Sequence, residues 1–209
     1  MSPVEIKAYD GKMRETDVAD VKTILRLIQS IPSPKAEPFK LWLVEVGNDR
    51  INESQDPKLA IDRAMISYRK LGYSEEWINA RLQSIQFRKE LTDERKRSGI
   101  EAGLGVAILT NTMNKEWAGK TIKDYKNLKG LKKENLRNNM TSLELALNIL
   151  AETSTTELSK FINLKNLKEN KDVARRGGKI SGDARKNIEA QIGHSVISSK
   201  NAKNLRLNK

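Results

Sequence analysis

The residues best suited to chemistry in this chain are cations at a recurring interval. Lys120, Lys123, Lys126, Lys129, Lys132, Lys133 and Arg137 follow one another about every three residues. On a helix this spacing gathers the early members onto one slowly drifting strip, and such a strip can track phosphates and release their counterions. The same lysines could equally be the solvated back of a helix that buries Ile122, Tyr125 and Leu128. A second cluster, Arg175-Arg176-Gly177-Gly178-Lys179, sets two guanidiniums beside two glycines. Glycine permits close backbone approach, and guanidiniums bridge phosphate oxygens or stack on bases. With Arg185 and Lys186 beyond it, this cluster could form a helix-turn-helix-like corner between residues 168–176 and 181–191, or a surface turn that happens to be basic. Contact of either kind positions a protein on a polyanion and carries little sequence choice.

Other chemistries are poorly served. Gly103-Leu104-Gly105 resembles a fragment of a phosphate-binding turn, yet a third glycine and a following Gly-Lys-Ser/Thr are missing. His194 is the single histidine and stands away from any carboxylate cluster, so metal ligation and general-base catalysis lack partners there. The chain has no cysteine, which removes disulfides, thiolate nucleophiles and thiolate zinc sites. Glu75, Glu76, Asp93 and Glu94 fall where helix starts favour acids. The expectation is a protein that is not an enzyme and takes no cofactor or metal. Trp42, Trp77 and Trp117 could stack on bases, but their apolar surroundings favour core packing. Trp117, flanked by Lys115, Gly119 and Lys120, is the weakest core candidate.

The charge is unevenly spread. Residues 1–100 hold 18 Lys/Arg against 16 Asp/Glu, while residues 101–209 hold 21 against 11, so nearly all of the net +12 belongs to the second half. A surplus confined to one half points to a polyanionic partner: nucleic acid first, an anionic membrane surface second. No stretch approaches the ~18 apolar residues of a bilayer span, and the first residues lack the apolar core of a signal peptide. A soluble, cytoplasmic protein follows from this reading.

Those cations need elements to hold them, and the pattern of starts and stripes predicts a mainly α fold. A short strand is expected at residues 4–8 before a turn at Asp10-Gly11. Asp20 should cap a helix with Val21, Ile24, Leu25 and Ile28 on one face. Beyond Pro32, Pro34 and Pro38, the Phe39, Trp42, Leu43 and Val46 stripe predicts a second helix with that face buried. Asp56-Pro57 and Ser74 open further helices, and Thr92 a short continuation, so the N-terminal half reads as a helical bundle. Three glycines between residues 99 and 105 suggest a boundary near 102, and residues 106–109 are short and apolar enough for a single strand. In the basic C-terminal half Thr121 starts a helix, Thr141 and Glu144 form a capping box, and Ser154 with Glu157 repeats it. Ser181 could cap a last helix that Gly193 ends, leaving residues 198–209 as a frayed, flexible basic tail.

The segment from Ile28 to Ile51, with its Pro-spaced entry and Glu37-Pro38-Phe39-Lys40-Leu41-Trp42, resembles the closing helix of the Bro-N domain of phage antirepressor-like proteins and DNA-damage-inducible protein D. The likeness continues through Glu116-Trp117-Ala118-Gly119-Lys120-Thr121-Ile122-Lys123-Asp124-Tyr125 and Asn170-Lys171-Asp172-Val173-Ala174-Arg175-Arg176. The resemblance implies a Bro-N remnant at 1–51, a helical continuation at 52–101, a basic helical domain at 102–197 and the tail at 198–209. The strand-rich, DNA-contacting start of that module has no counterpart, so its base recognition does not carry over. The role implied is a prophage-type or DNA-damage-response accessory protein binding single- or double-stranded DNA with low specificity through residues 115–137 and 168–186. An alternative is a module that binds a repressor or recombinase without touching DNA. Homo-oligomerisation through the N-terminal half is compatible with either.

Overall fold

The computed structural model describes residues 2–162, 164 and 166–202, and among these the chain is mainly α. Two compact units divide at residues 64 and 65.

The first unit opens with an antiparallel hairpin of β1 (Ser2–Lys7) and β2 (Met13–Val18), registered so that Val4 faces Thr16 and Ile6 faces Arg14. Gly11 supplies the left-handed turn residue, at φ +82°, and Asp10 fixes the turn by accepting from the Lys12 N–H and pairing with Arg14. Asp20 caps α1 (Val21–Ser30) by accepting from the Thr23 N–H. A 3-10 turn at Pro34–Ala36 leads into α2 (Glu37–Gln55), and α3 (Pro57–Lys70) starts on a proline as expected.

The face of α2 predicted to be buried is open: Trp42 is 49% and Val46 45% exposed. The reason is the lack of a covering layer, because within this unit α2 packs chiefly on the turn that precedes it. No apolar residue of the unit is buried, and Glu53 is its one buried side chain among the described residues.

The second unit holds the core. Ser74 caps α4 (Glu75–Arg97), which continues to α5 (Leu104–Ala118), α6 (Ile122–Leu128), a 3-10 turn at Leu136–Asn139, α7 (Ser142–Phe161) and α8 (Leu167–Ile192). Helix α7 packs on α4 and α8, and α8 also packs on α5. Trp77, Ile78, Leu91, Leu109, Met113, Trp117, Tyr125, Leu145 and Ala151 fill the space between them. Tyr73 stacks on Trp77 at 3.7 Å, and the indole N–H of Trp77 donates to the Met140 carbonyl, pinning the start of α4 to the loop before α7.

Several expectations are corrected here. Residues 106–109 belong to α5, because Leu109, Met113 and Trp117 extend the apolar pattern at helical spacing well beyond four residues. The division near 102 is a turn inside one core, with Gly99 and Gly103 at positive φ between two helices of the same unit; the boundaries at 51 and 102 give way to one at 64 and 65. Residues 168–176 and 181–191 are parts of one continuous helix, so no helix-turn-helix corner exists. The start of the supposed tail at 198 is packed: after Val196 and Ile197, which join the core, Asn201 is buried and Ala202 is also part of the core, and 203–209 lies outside the described residues.

Candidate nucleic-acid interface

Helix α8 carries the site. At 3.6 residues per turn, Lys168, Lys171, Arg175, Lys179 and Lys186 fall within an arc of roughly 80°, and all five are exposed. Arg176 stands beside this stripe, also exposed. Arg175 pairs with Asp172 at 3.3 Å and approaches Glu116 of α5 at 3.8 Å, and Lys186 approaches Asp183 at 3.8 Å. Lys168, Lys171, Arg176 and Lys179 make no ion pair among the described residues. Their charge faces solvent uncompensated. Lys115 of α5 extends the patch, and a hollow of about 400 Å³ between α5 and α8 is lined by Lys115, Lys171 and Arg175 together with Thr112, Glu116 and Thr121.

The inward face of α8, which borders the cation stripe, explains why the helix can sit so close. Ala174, Gly177, Gly178, Ser181 and Gly182 are buried against α5 and α7. A Cβ on Gly178 would lie 2.6 Å from the Met113 carbonyl oxygen, one on Gly182 2.6 Å from that of Glu116, and one on Gly177 2.7 Å from the Thr155 amide nitrogen. The glycines are there for backbone contact between helices, and no phosphate is needed to account for them. Ser181, expected as a cap, instead donates to the Leu147 carbonyl across the interface.

The lysine ladder does not form one strip. Helix α6 is only seven residues long and ends at Gly130, φ +67°. Lys123 is exposed and Lys120 and Lys126 half-buried, whereas Lys132 and Lys133 lie exposed in the following loop. Lys129 is a correction: its side chain is fully buried, and its ammonium donates to both Glu144 oxygens, at 2.6 and 2.8 Å, and to the Lys200 carbonyl. Burial pushes its pKa below the ordinary lysine value despite the partner carboxylate. It ties the segment around Lys200 to α7 and cannot reach a phosphate. Arg137 turns inward to Glu152 at 2.6 Å, and Arg185 donates to the Trp117 carbonyl and to Glu189. These two are structural as well.

The surface therefore keeps Lys120, Lys123, Lys126, Lys132, Lys133, Arg175, Arg176, Lys179 and Lys186 of the predicted set. It adds Lys115, Lys168 and Lys171, which lie inside the expected segments 115–137 and 168–186 without being singled out as contacts. The signal was present: positions 168, 171, 175, 179 and 186 are one face of a single helix, visible once Gly177-Gly178 is read as helix interior. Trp117, the doubtful core residue, is fully buried, so it offers no stacking platform. Neither the known protein-family models nor the curated proteins contain a match to this chain.

Proposed function

We propose that this chain is a non-enzymatic DNA-binding accessory protein that tracks phosphates with the outer face of α8 and the adjoining basic residues of α5 and α6. One observation carries the reading: five exposed cations in a single arc, spaced over 18 residues of rigid helix, or roughly 27 Å at 1.5 Å per residue. A straight row of this length can lie along a phosphate backbone, and the absence of a helix corner or exposed ring at the stripe argues for contact without base readout. Residues 1–64 carry 10 Lys/Arg against 11 Asp/Glu and residues 65–209 carry 29 against 16, so the electrostatic attraction belongs to the second unit.

The test is a titration of random-sequence single- and double-stranded DNA at several salt concentrations. Affinity should fall steeply with salt, and a Lys171/Arg175/Lys179/Lys186→Ala variant should bind far more weakly. Its log–log salt slope should be shallower by about 3–4, because each duplex phosphate that is no longer neutralised removes about 0.9 from the slope. A Lys22/Arg26→Ala control in the first unit should change little. Absence of binding at low salt and low-micromolar protein would overturn the reading. Function would then move to the second one, a module that binds a repressor- or recombinase-type protein, which the exposed Trp42, Val44 and Val46 of α2 favour.

A further inference from the structure

Arg81, Arg88 and Arg95 stand seven residues apart on α4 and so share a face. That face turns inward. Arg81 and Arg95 are buried, and the Arg88 side chain is 25% exposed. Arg137 enters the same region from the 3-10 turn. Glu152, fully buried on α7, is the carboxylate they meet: its Oε1 accepts from Arg137 at 2.6 Å and from Arg88 at 3.4 Å. Arg88 and Arg95 converge on one neutral oxygen, both donating to Thr110 Oγ1, at 3.1 and 3.0 Å. Arg81 takes the side-chain oxygen of Asn138 at 2.9 Å. One terminal nitrogen of Arg95 has no hydrogen-bond partner among the described residues.

Buried cations normally come with matching anions, because desolvating an unpaired charge is expensive. Four guanidiniums against one carboxylate leave an uncompensated positive field. Its effect is visible at Arg95, whose pKa is pushed down to about 9 by burial and by the neighbouring Arg88 charge. A cavity of about 440 Å³ opens beside this cluster between α4 and α5. Arg88, Thr110 and Lys96 form part of its wall, and Ile100, Val106 and Ile122 supply apolar surface. The volume is in the range of small-molecule sites, and the lining is apolar with a few convergent polar groups.

We propose that this cavity binds a small organic carboxylate with an apolar body, its carboxylate taken by the Arg88 guanidinium and its body by Ile100, Val106 and Ile122, while the Thr110 hydroxyl, which donates to the Val106 carbonyl, holds Arg88 in place. The charge surplus selects an anion, and the apolar walls reject one that is polar throughout. The site is separate from the α8 stripe and does not depend on DNA binding. Arg88 shares the Thr110 oxygen with the Arg95 guanidinium behind it, so an anion on Arg88 would also relieve the unmatched charge in the core.

The experiment is calorimetric titration of the full chain with octanoate, octanol and inorganic phosphate, repeated on Arg88→Met and on Ala107→Phe, which places a ring at the exposed rim of the cavity. Circular dichroism checks that each variant keeps its helix content. Octanoate should bind with submillimolar affinity, and octanol and phosphate at least about tenfold more weakly, as expected when a charged hydrogen-bonded pair or the apolar burial is missing. Arg88→Met should weaken octanoate by a similar factor, and Ala107→Phe should weaken it while leaving the arginines in place. Should Arg88→Met fail to fold, Ala107→Phe decides alone. Octanoate weaker than roughly 10 mM, equal binding of octanol, tighter binding of phosphate, or octanoate affinity unchanged in the folded variants would each overturn the proposal.

Discussion

At the scale of single residues, Gly178 and Lys129 show how a feature that reads as ligand-binding can be structural. A Cβ on Gly178 meets a backbone carbonyl at 2.6 Å, so Gly178→Ala must push α8 away from α5. Overpacking of this kind costs about 1–3 kcal/mol, and urea denaturation should show that loss. DNA affinity of the folded variant should change little, because the added methyl is buried against α5 and removes no exposed cation. Lys129→Met leaves the Glu144 carboxylate buried without its cation, while the capping bond from the Thr141 N–H remains. Breaking one side of a buried pair costs about 3–5 kcal/mol, whereas Lys129→Met with Glu144→Gln should recover part of it. The same denaturation series separates the two, and a Lys129→Met protein that stays as stable as the parent would contradict the latch. An equally stable Lys129→Met protein with reduced DNA affinity would return Lys129 to the interface.

At the scale of elements, α2 and α3 are joined by one carboxylate. Glu53 is buried and accepts from Arg63, at 3.1 Å from its Nη2 and more closely from Nε, and from Arg50 at 2.7 Å. Arg63 foremost, then Arg50, holds its pKa down to about 2. A depressed carboxylate stabilises the fold above its unfolded value, near 4.3, and that stability is lost as pH falls from about 4 to 2. Amide protection in α2 and α3 should therefore drop between pH 5 and roughly pH 2.5. Glu53→Gln should show the same loss at neutral pH and a flat response to acid. The starts of elements were legible in sequence because capping is local: Asp20, Ser74, Thr121 and Thr141 each accept the N–H bond expected of them. Interior hydroxyls misled for the same reason. Thr92 bonds back to the Arg88 carbonyl inside α4, and Ser154, read as the start of a second capping box with Glu157, lies inside the unbroken α7 beside Thr155 and Thr156, which bond back in the same way; only tertiary packing decides between that role and a cap. The α8 stripe was half legible, since Arg175, Arg176 and Lys179 were read correctly as exposed cations while the glycines between helices hid the continuity that aligns them with Lys168 and Lys186.

At the scale of the molecule, the two units differ in what holds them. Residues 65–209 bury a continuous apolar core, and residues 2–64 bury no apolar side chain among those described, relying on a hairpin, helix caps and the Glu53 clasp. Burial of apolar surface dominates the free energy of folding, so local opening should follow this division. Hydrogen exchange on the full chain should find the amides of α1 and α2 exchanging at least about a hundredfold faster than the central amides of α5, α7 and α8. The second unit also carries the cations, so binding random-sequence DNA should raise protection along α8 and leave the fast exchange of α1 and α2 unchanged. Equal protection in both units that grew with protein concentration would mean that the open apolar face of α2, with Trp42 and Val46, is covered in solution. The first outcome places mobility and polyanion binding in different halves of one chain. The second would make association through α2 a condition of the fold's stability, because the free energy absent from the first unit would then come from surface buried between molecules.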